Sequence, residues 1–232
     1  MADEEKILEV RDLTVKVGNV ALVENISFAV KKGETVLVIG PNGAGKTTLF
    51  RALIGSVPYF GEVKWGEGAS IGYVPQKVDL ERDLPITVRE FFMLKTGNIG
   101  EAEVKEALLD VKLESEYAEK GISELSSGEL QRILIAWAVL GHPKVLLFDE
   151  PTASIDVAGQ ETIYELLHNL QDTHDLTLIM ISHDLTVVYK YATQVLCLNK
   201  EQICFGSPRE VLTPEELSKL YGPELTFYHH LH

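Results

Sequence analysis

The chain has 232 residues, 45% of them hydrophobic, which is enough for one large domain with a sizeable core. Asp and Glu outnumber Lys and Arg 35 to 21, a formal net charge of −14, and no basic run appears. Phosphate contacts need clustered Lys and Arg, so a broad nucleic-acid surface is excluded and no nucleic-acid partner is expected.

The acidic start, MADEEKILEV, carries no signal-peptide pattern. The longest apolar run, Ile133 to Gly141, is far short of the roughly 20 residues a spanning helix needs. Cys197 and Cys204 are too few for a disulfide scaffold and fit a reducing cytosol.

Residues 5–39 read as antiparallel strands leading into a central buried one. Leu13, Val15 and Val17 alternate with Thr14 and Lys16, and Ile26, Phe28 and Val30 repeat the period. Lys31-Lys32-Gly33 forms a turn, and 34–39 is a strand with an apolar run from Val36 to Ile39. It enters Gly40-Pro41-Asn42-Gly43-Ala44-Gly45-Lys46-Thr47-Thr48, which opens a helix over 46–54. Gly40, Gly45, Lys46 and Thr47 meet G-x-x-x-x-G-K-[ST]. Gly43 and Gly45 let successive N–H groups curl around a phosphate, and the helix N-terminus adds partial positive charge there. Lys46 can reach the β- and γ-phosphates, and the Thr47 hydroxyl can ligate Mg²⁺. The chain is therefore expected to bind a nucleoside triphosphate.

Short strands are expected at 61–65 and 70–75. From about 85 to 140 the spacing turns helical, with Val104, Leu108 and Val111 on one face. Within it, Leu125-Ser126-Ser127-Gly128-Glu129-Leu130-Gln131-Arg132 holds a capping box, Ser126 with Glu129, opening a helix over 130–140. On helix logic alone this is a cap; a capped N-terminus with a glycine is also an anion site. The α/β alternation then returns, with a strand at Val145–Phe148 and a helix stripe of Ile163, Leu166, Leu167 and Leu170. A strand follows at Leu176–Ile181, a helix at 185–191, and a hairpin of 194–198 with 202–205. One or two short helices (Pro214 to Leu220) precede the end. Strands alternating with helices imply a mainly parallel sheet. Asp149 and Glu150 sit at the C-terminal end of the buried 145–148 strand, where open α/β sheets bind ligands. Asp149 is placed to hold Mg²⁺ or its water, and Glu150 to polarise an attacking water.

Six motifs in this order resemble the ATPase subunit of ABC transporters over essentially the whole chain. Gly40 to Thr47 matches the Walker A loop and Gln76, in Tyr-Val-Pro-Gln, the Q-loop. Leu125 to Glu129 looks like the signature, Asp149-Glu150 the Walker B end, Ser154-Ile155-Asp156 the D-loop, and His183 the switch histidine. The resemblance implies one α/β ABC ATPase domain over 1–232. Its P-loop core, with an antiparallel β subdomain, would take 5–84 and 144–206, with a helical subdomain over 85–143 and a tail over 207–232. It implies ATP and Mg²⁺ as cofactors, with Thr47, Gln76 and Asp149 on the metal and Glu150, His183 and Gln76 at the chemistry. Ser126, Ser127, Gly128 and Glu129 would cap the γ-phosphate held by a second copy, with Asp156 at that interface. The implied partners are a second copy, integral-membrane permease subunits and, indirectly, an extracytoplasmic metal-binding protein. The implied location is the cytoplasm, peripheral on the inner face of the cell membrane.

The chain departs from the family in two places. Ser127-Gly128 replaces the usual pair of glycines, and Val17 stands where an aromatic residue often stacks on adenine. The run from Lys77 to Phe91 resembles ATPases of zinc or manganese importers, as does the 195–208 hairpin. So does the His-bearing end (His229, His230, His232), where a metal site competes with a plain tail. Cys197 and Cys204 are expected to face each other across the hairpin as a reduced, buried pair, with a metal or redox role as the alternative. A transport ATPase, with zinc the preferred ion, competes with a soluble ABC ATPase such as an iron–sulfur assembly factor. It also competes with a nucleotide binder that no longer hydrolyses. The Gln76–Phe92 segment favours the first, and intact Lys46, Asp149, Glu150 and His183 oppose the last.

Overall fold

The computed structural model describes residues 5–76, 85–150 and 157–222. They fall into two compact units. One is built from residues up to Glu67 and from Ile179 on, the other from Gly68–Leu178. The D-loop residues 154–156, most of the segment after Gln76 (77–84) and the terminal histidines lie outside the described residues.

The chain opens with β1 (Lys6–Val17) and β2 (Val20–Lys31), an antiparallel pair turning at Gly18. Leu13, Val15, Ile26, Phe28 and Val30 are buried as the sequence predicts, but the alternation expected at the end of β1 breaks down: Thr14 is buried and Val17 is exposed. β3 (Thr35–Ile39) is buried at every position, which is why it reads as an unbroken apolar run. α1 (Lys46–Leu53) follows, and β4 (Phe60–Trp65) pairs antiparallel with β1.

The second unit begins with β5 (Ile71–Val74). The helical stretch resolves into α2 (Val88–Thr96), α3 (Glu101–Asp110) and α4 (Ser127–Val139), with 3-10 turns at Ser115–Glu119 and Ile122–Glu124. β6 (Val145–Asp149) pairs parallel with β5, and α5 (Val157–His174) buries the stripe Ile163, Leu166, Leu167 and Leu170. Gly72 of β5 lies hard against α4, since a Cβ there would come within 2.6 Å of the Ala138 carbonyl oxygen. No helix among the described residues is long and apolar enough to cross a membrane.

β7 (Thr177–Ile181) brings the chain back to the first unit, followed by α6 (Leu185–Tyr191), β8 (Gln194–Asn199) and β9 (Glu201–Gly206). α7 (Pro208–Val211) and α8 (Pro214–Tyr221) end the described chain. β8 runs parallel to β3 and antiparallel to β9, and β9 meets β2 at Glu24 opposite Glu201. Within the first unit the strand order is therefore β4-β1-β2-β9-β8-β3. The result is an α/β fold with an antiparallel β layer and a mainly parallel sheet.

One expectation is corrected. Cys197 and Cys204 are not a reduced, buried pair: they are joined by a disulfide, and Cys204 is only part-buried. They sit directly opposite in the β8–β9 register with Cα atoms 4.8 Å apart, a spacing a disulfide can bridge.

Candidate active site

The first unit carries the glycine-rich loop expected to hold phosphate. β3 delivers the chain to Gly40, and the backbone then curls through Gly43 (φ 79°) and Gly45 (φ 96°), a region only glycine enters freely. Neither Gly40 nor Gly45 has room for a side chain. A Cβ on Gly40 would fall 1.9 Å from the Leu198 carbonyl oxygen, and one on Gly45 would fall 2.4 Å from Val23 Cγ1. Gly45, the N-cap of α1, offers no side chain of its own to the first N–H groups of the helix. Lys46 is buried and folds back over the loop, its Nζ donating to the carbonyl oxygens of Gly40 (2.8 Å) and Pro41 (3.1 Å). The loop, its lysine and a helix N-terminus thus form an anion cradle of the kind that takes phosphate.

His183 belongs to the same unit. Ser182 N donates to the Val38 carbonyl oxygen at 3.2 Å, which sets the exposed His183 beside the end of β3. Asp184 then caps α6 by accepting from Thr186 N. Val17, at the tip of β1, is 66% exposed and Val20 across the turn 61%, so the expected adenine position is a bare aliphatic knob.

The second unit carries the carboxylates. Val74 pairs with Phe148, so Gln76 and Glu150 each stand two residues past the same rung. Gln76 Nε2 donates to Glu150 Oε2 at 2.5 Å, although 74 residues separate them. Asp149 is 1% exposed. Glu150 takes a left-handed backbone (φ 48°), which turns the chain sharply after the buried aspartate. Backbone strain of this kind gathers at functional positions.

The segment at 125–129 forms the start of α4. Ser126 and Glu129 make the predicted reciprocal capping box, with Ser126 N donating to Glu129 Oε2 at 2.8 Å. The Tyr117 hydroxyl also donates to Glu129, and that bond, followed by those from Ser126, holds the Glu129 carboxyl down to about 2. Ser127 is exposed, and a Cβ on Gly128 would meet nothing within 4 Å.

The roles of Tyr117 and Lys200 were missed from the sequence, although the hairpin that carries Lys200 was expected. Tyr117 lies twelve residues before Glu129, outside any local spacing rule. Lys200 N donates to the Ala44 carbonyl oxygen at 2.8 Å and its own carbonyl accepts from Glu24 N, so the β8–β9 turn braces the phosphate loop from behind.

The ABC transporter family profile matches residues 23–153. A "Probable metal transport system ATP-binding protein" of Thermotoga maritima is 40% identical over 93% of this chain and 90% of its own length. The zinc import ATP-binding protein ZnuC of Rickettsia prowazekii is 39% identical over 99% of this chain and 98% of its own. Among solved structures, cbiO1 of Clostridium perfringens, part of the ABC transporter complex cbiONQ, aligns at a TM-score of 0.80. It is 27% identical and covers 93% of this chain and 94% of that one. The chain belongs to the ABC transporter family, among its ATP-binding proteins.

Proposed function

We propose that this chain is the ATP-hydrolysing subunit of a membrane importer for a divalent metal ion, zinc before manganese. The observation that carries the choice of zinc is whole-length likeness, at 39% identity, to a relative named for zinc import. The chemistry fits the donors present. The hydroxyl of Thr47, the carboxamide of Gln76 and the buried carboxylate of Asp149 are hard oxygen ligands of the kind Mg²⁺ takes. Bound Mg²⁺ would neutralise charge on the β- and γ-phosphates.

In this reading Gly40 to Thr48 cradle the phosphates and Lys46 leaves its carbonyl partners for the γ-phosphate. Glu150 orients and deprotonates the attacking water, and Gln76 holds the Glu150 carboxylate in place. His183 touches the γ-phosphate, and Val17 supports adenine. Ser126, Ser127, Gly128 and Glu129 of a second copy close the site, with Asp156 at the interface. Two ATP molecules would then sit in a two-fold, head-to-tail dimer on the cytoplasmic face of a permease, fed from outside by a metal-binding protein. The Gln76–Phe92 segment would meet the permease.

The test is metal uptake in a strain lacking this gene, complemented with the wild-type chain. Restored zinc uptake is expected. Restored manganese uptake alone would overturn the ion, and no change in either would favour a role without a permease.

A further inference from the structure

We propose that Cys197 and Cys204 form a thiol–disulfide switch that sets how firmly the phosphate loop is held, with a low-molecular-weight disulfide such as oxidised glutathione as the reactant. The proposal rests on reading Gly40 to Thr48 as the ATP cradle.

Three observations carry it. The two residues occupy one rung of the β8–β9 ladder and are joined. Cys197 also pairs across the parallel ladder with Ile39, the residue immediately before Gly40. The turn closing the hairpin supports the loop directly. Leu198 puts its carbonyl oxygen where a Gly40 Cβ would be, and Lys200 N bonds the Ala44 carbonyl oxygen at 2.8 Å. A crosslink between β8 and β9 therefore stiffens the strand and turn against which the loop is packed. The two cysteines are only seven positions apart, so the bridge restricts the unfolded chain less than a long-range one would. Disulfides of cytosolic proteins are usually transient and redox-sensing rather than structural.

Access is asymmetric. Cys204 is part-buried and reachable, whereas Cys197 is 1% exposed. The Cys204 thiolate attacks one sulfur of oxidised glutathione, forming a mixed disulfide and releasing one glutathione thiolate. The Cys197 thiolate then attacks Cys204 Sγ and releases the second. Two protons pass from the cysteines to the two glutathiones; the protein loses two electrons and glutathione disulfide gains them. Pre-ordering the loop lowers the entropy lost when ATP binds, so the oxidised form binds more tightly.

The full-length chain is reduced, freed of reductant and divided, and one half is treated with oxidised glutathione. Intact mass and thiol titration report the chemistry, and a fluorescent ATP analogue reports affinity. The oxidised half is expected to lose both thiols without retaining glutathione and to bind the analogue at least threefold more tightly. Cys204→Ser and Cys204→Val should show no glutathione-dependent change. ATP binding by the reduced half tests the loop reading separately. Two persisting thiols, a stable glutathione adduct, or equal or weaker affinity after oxidation would overturn the switch.

Discussion

Val17 and Val20 leave two aliphatic side chains bare at the β1–β2 turn. An aromatic ring there would present a face to adenine, and base–aromatic stacking is worth about 1–3 kcal/mol. Val17→Tyr is therefore expected to tighten ATP about fivefold or more, read by equilibrium binding of a fluorescent analogue. Unchanged affinity would place adenine elsewhere. Glu129 gives a second prediction at this scale. Its folded pKa of about 2 lies below the 4.5 of an ordinary glutamate, so its stabilisation is present above pH 4.5 and is lost as pH falls from 4.5 towards 2. Tyr117 is the largest cause of that shift. Tyr117→Phe should lower the urea midpoint at pH 7 and lower it by less at pH 2, where Glu129 of the parent chain is already about half protonated. An equal loss at both pH values would assign the effect to packing instead.

At the scale of elements, β5 and α4 meet at a backbone contact. The 2.6 Å between a Cβ on Gly72 and the Ala138 carbonyl oxygen leaves no room for a methyl group. Gly72→Ala should cost about 1–3 kcal/mol, the usual range for overpacking, measured by chemical denaturation. A neutral result would mean that α4 slides freely on β5. The elements themselves were largely legible beforehand, because β3 and β6 are unbroken apolar runs and the Ser126–Glu129 box marks the start of α4 three residues earlier than the apolar stripe does. Legibility failed where pairing depends on sheet register. Gln76 meets Glu150 because Val74 pairs with Phe148, a register with no local signature. Tyr117 was hidden for a related reason, since its reach to Glu129 depends on how two 3-10 turns lay the chain before α4. The hairpin register was legible by contrast, since Cys197 and Cys204 face each other as expected and only their bonded state differs.

At the scale of the whole molecule, the glycine-rich loop proposed to hold phosphate and the capped start of α4 belong to different units, and the α4 start carries an exposed Ser127 beside a part-exposed Gly128. Closing a site with that segment from a second copy brings together two chains of net charge −14 plus the charge of bound nucleotide. Like charge opposes association, and salt screens it, with a Debye length of about 10 Å at 0.1 M falling to about 3 Å at 1 M. Association should therefore be weak with ADP, need ATP to bridge the halves, and strengthen as ionic strength rises. Hydrolysis would normally dissolve the bridge, so the dimer must be trapped to be seen. Glu150→Gln removes the carboxylate that would take the proton of water but keeps a side-chain oxygen for Gln76 Nε2, which now donates at 2.5 Å. This variant is expected to bind ATP normally, lose turnover by at least a hundredfold, and elute as a dimer with ATP and a monomer with ADP. The dimer fraction should be larger at 0.5 M than at 0.05 M salt. Undiminished hydrolysis would remove Glu150 as the base, and a monomer under all these conditions would remove the sandwich.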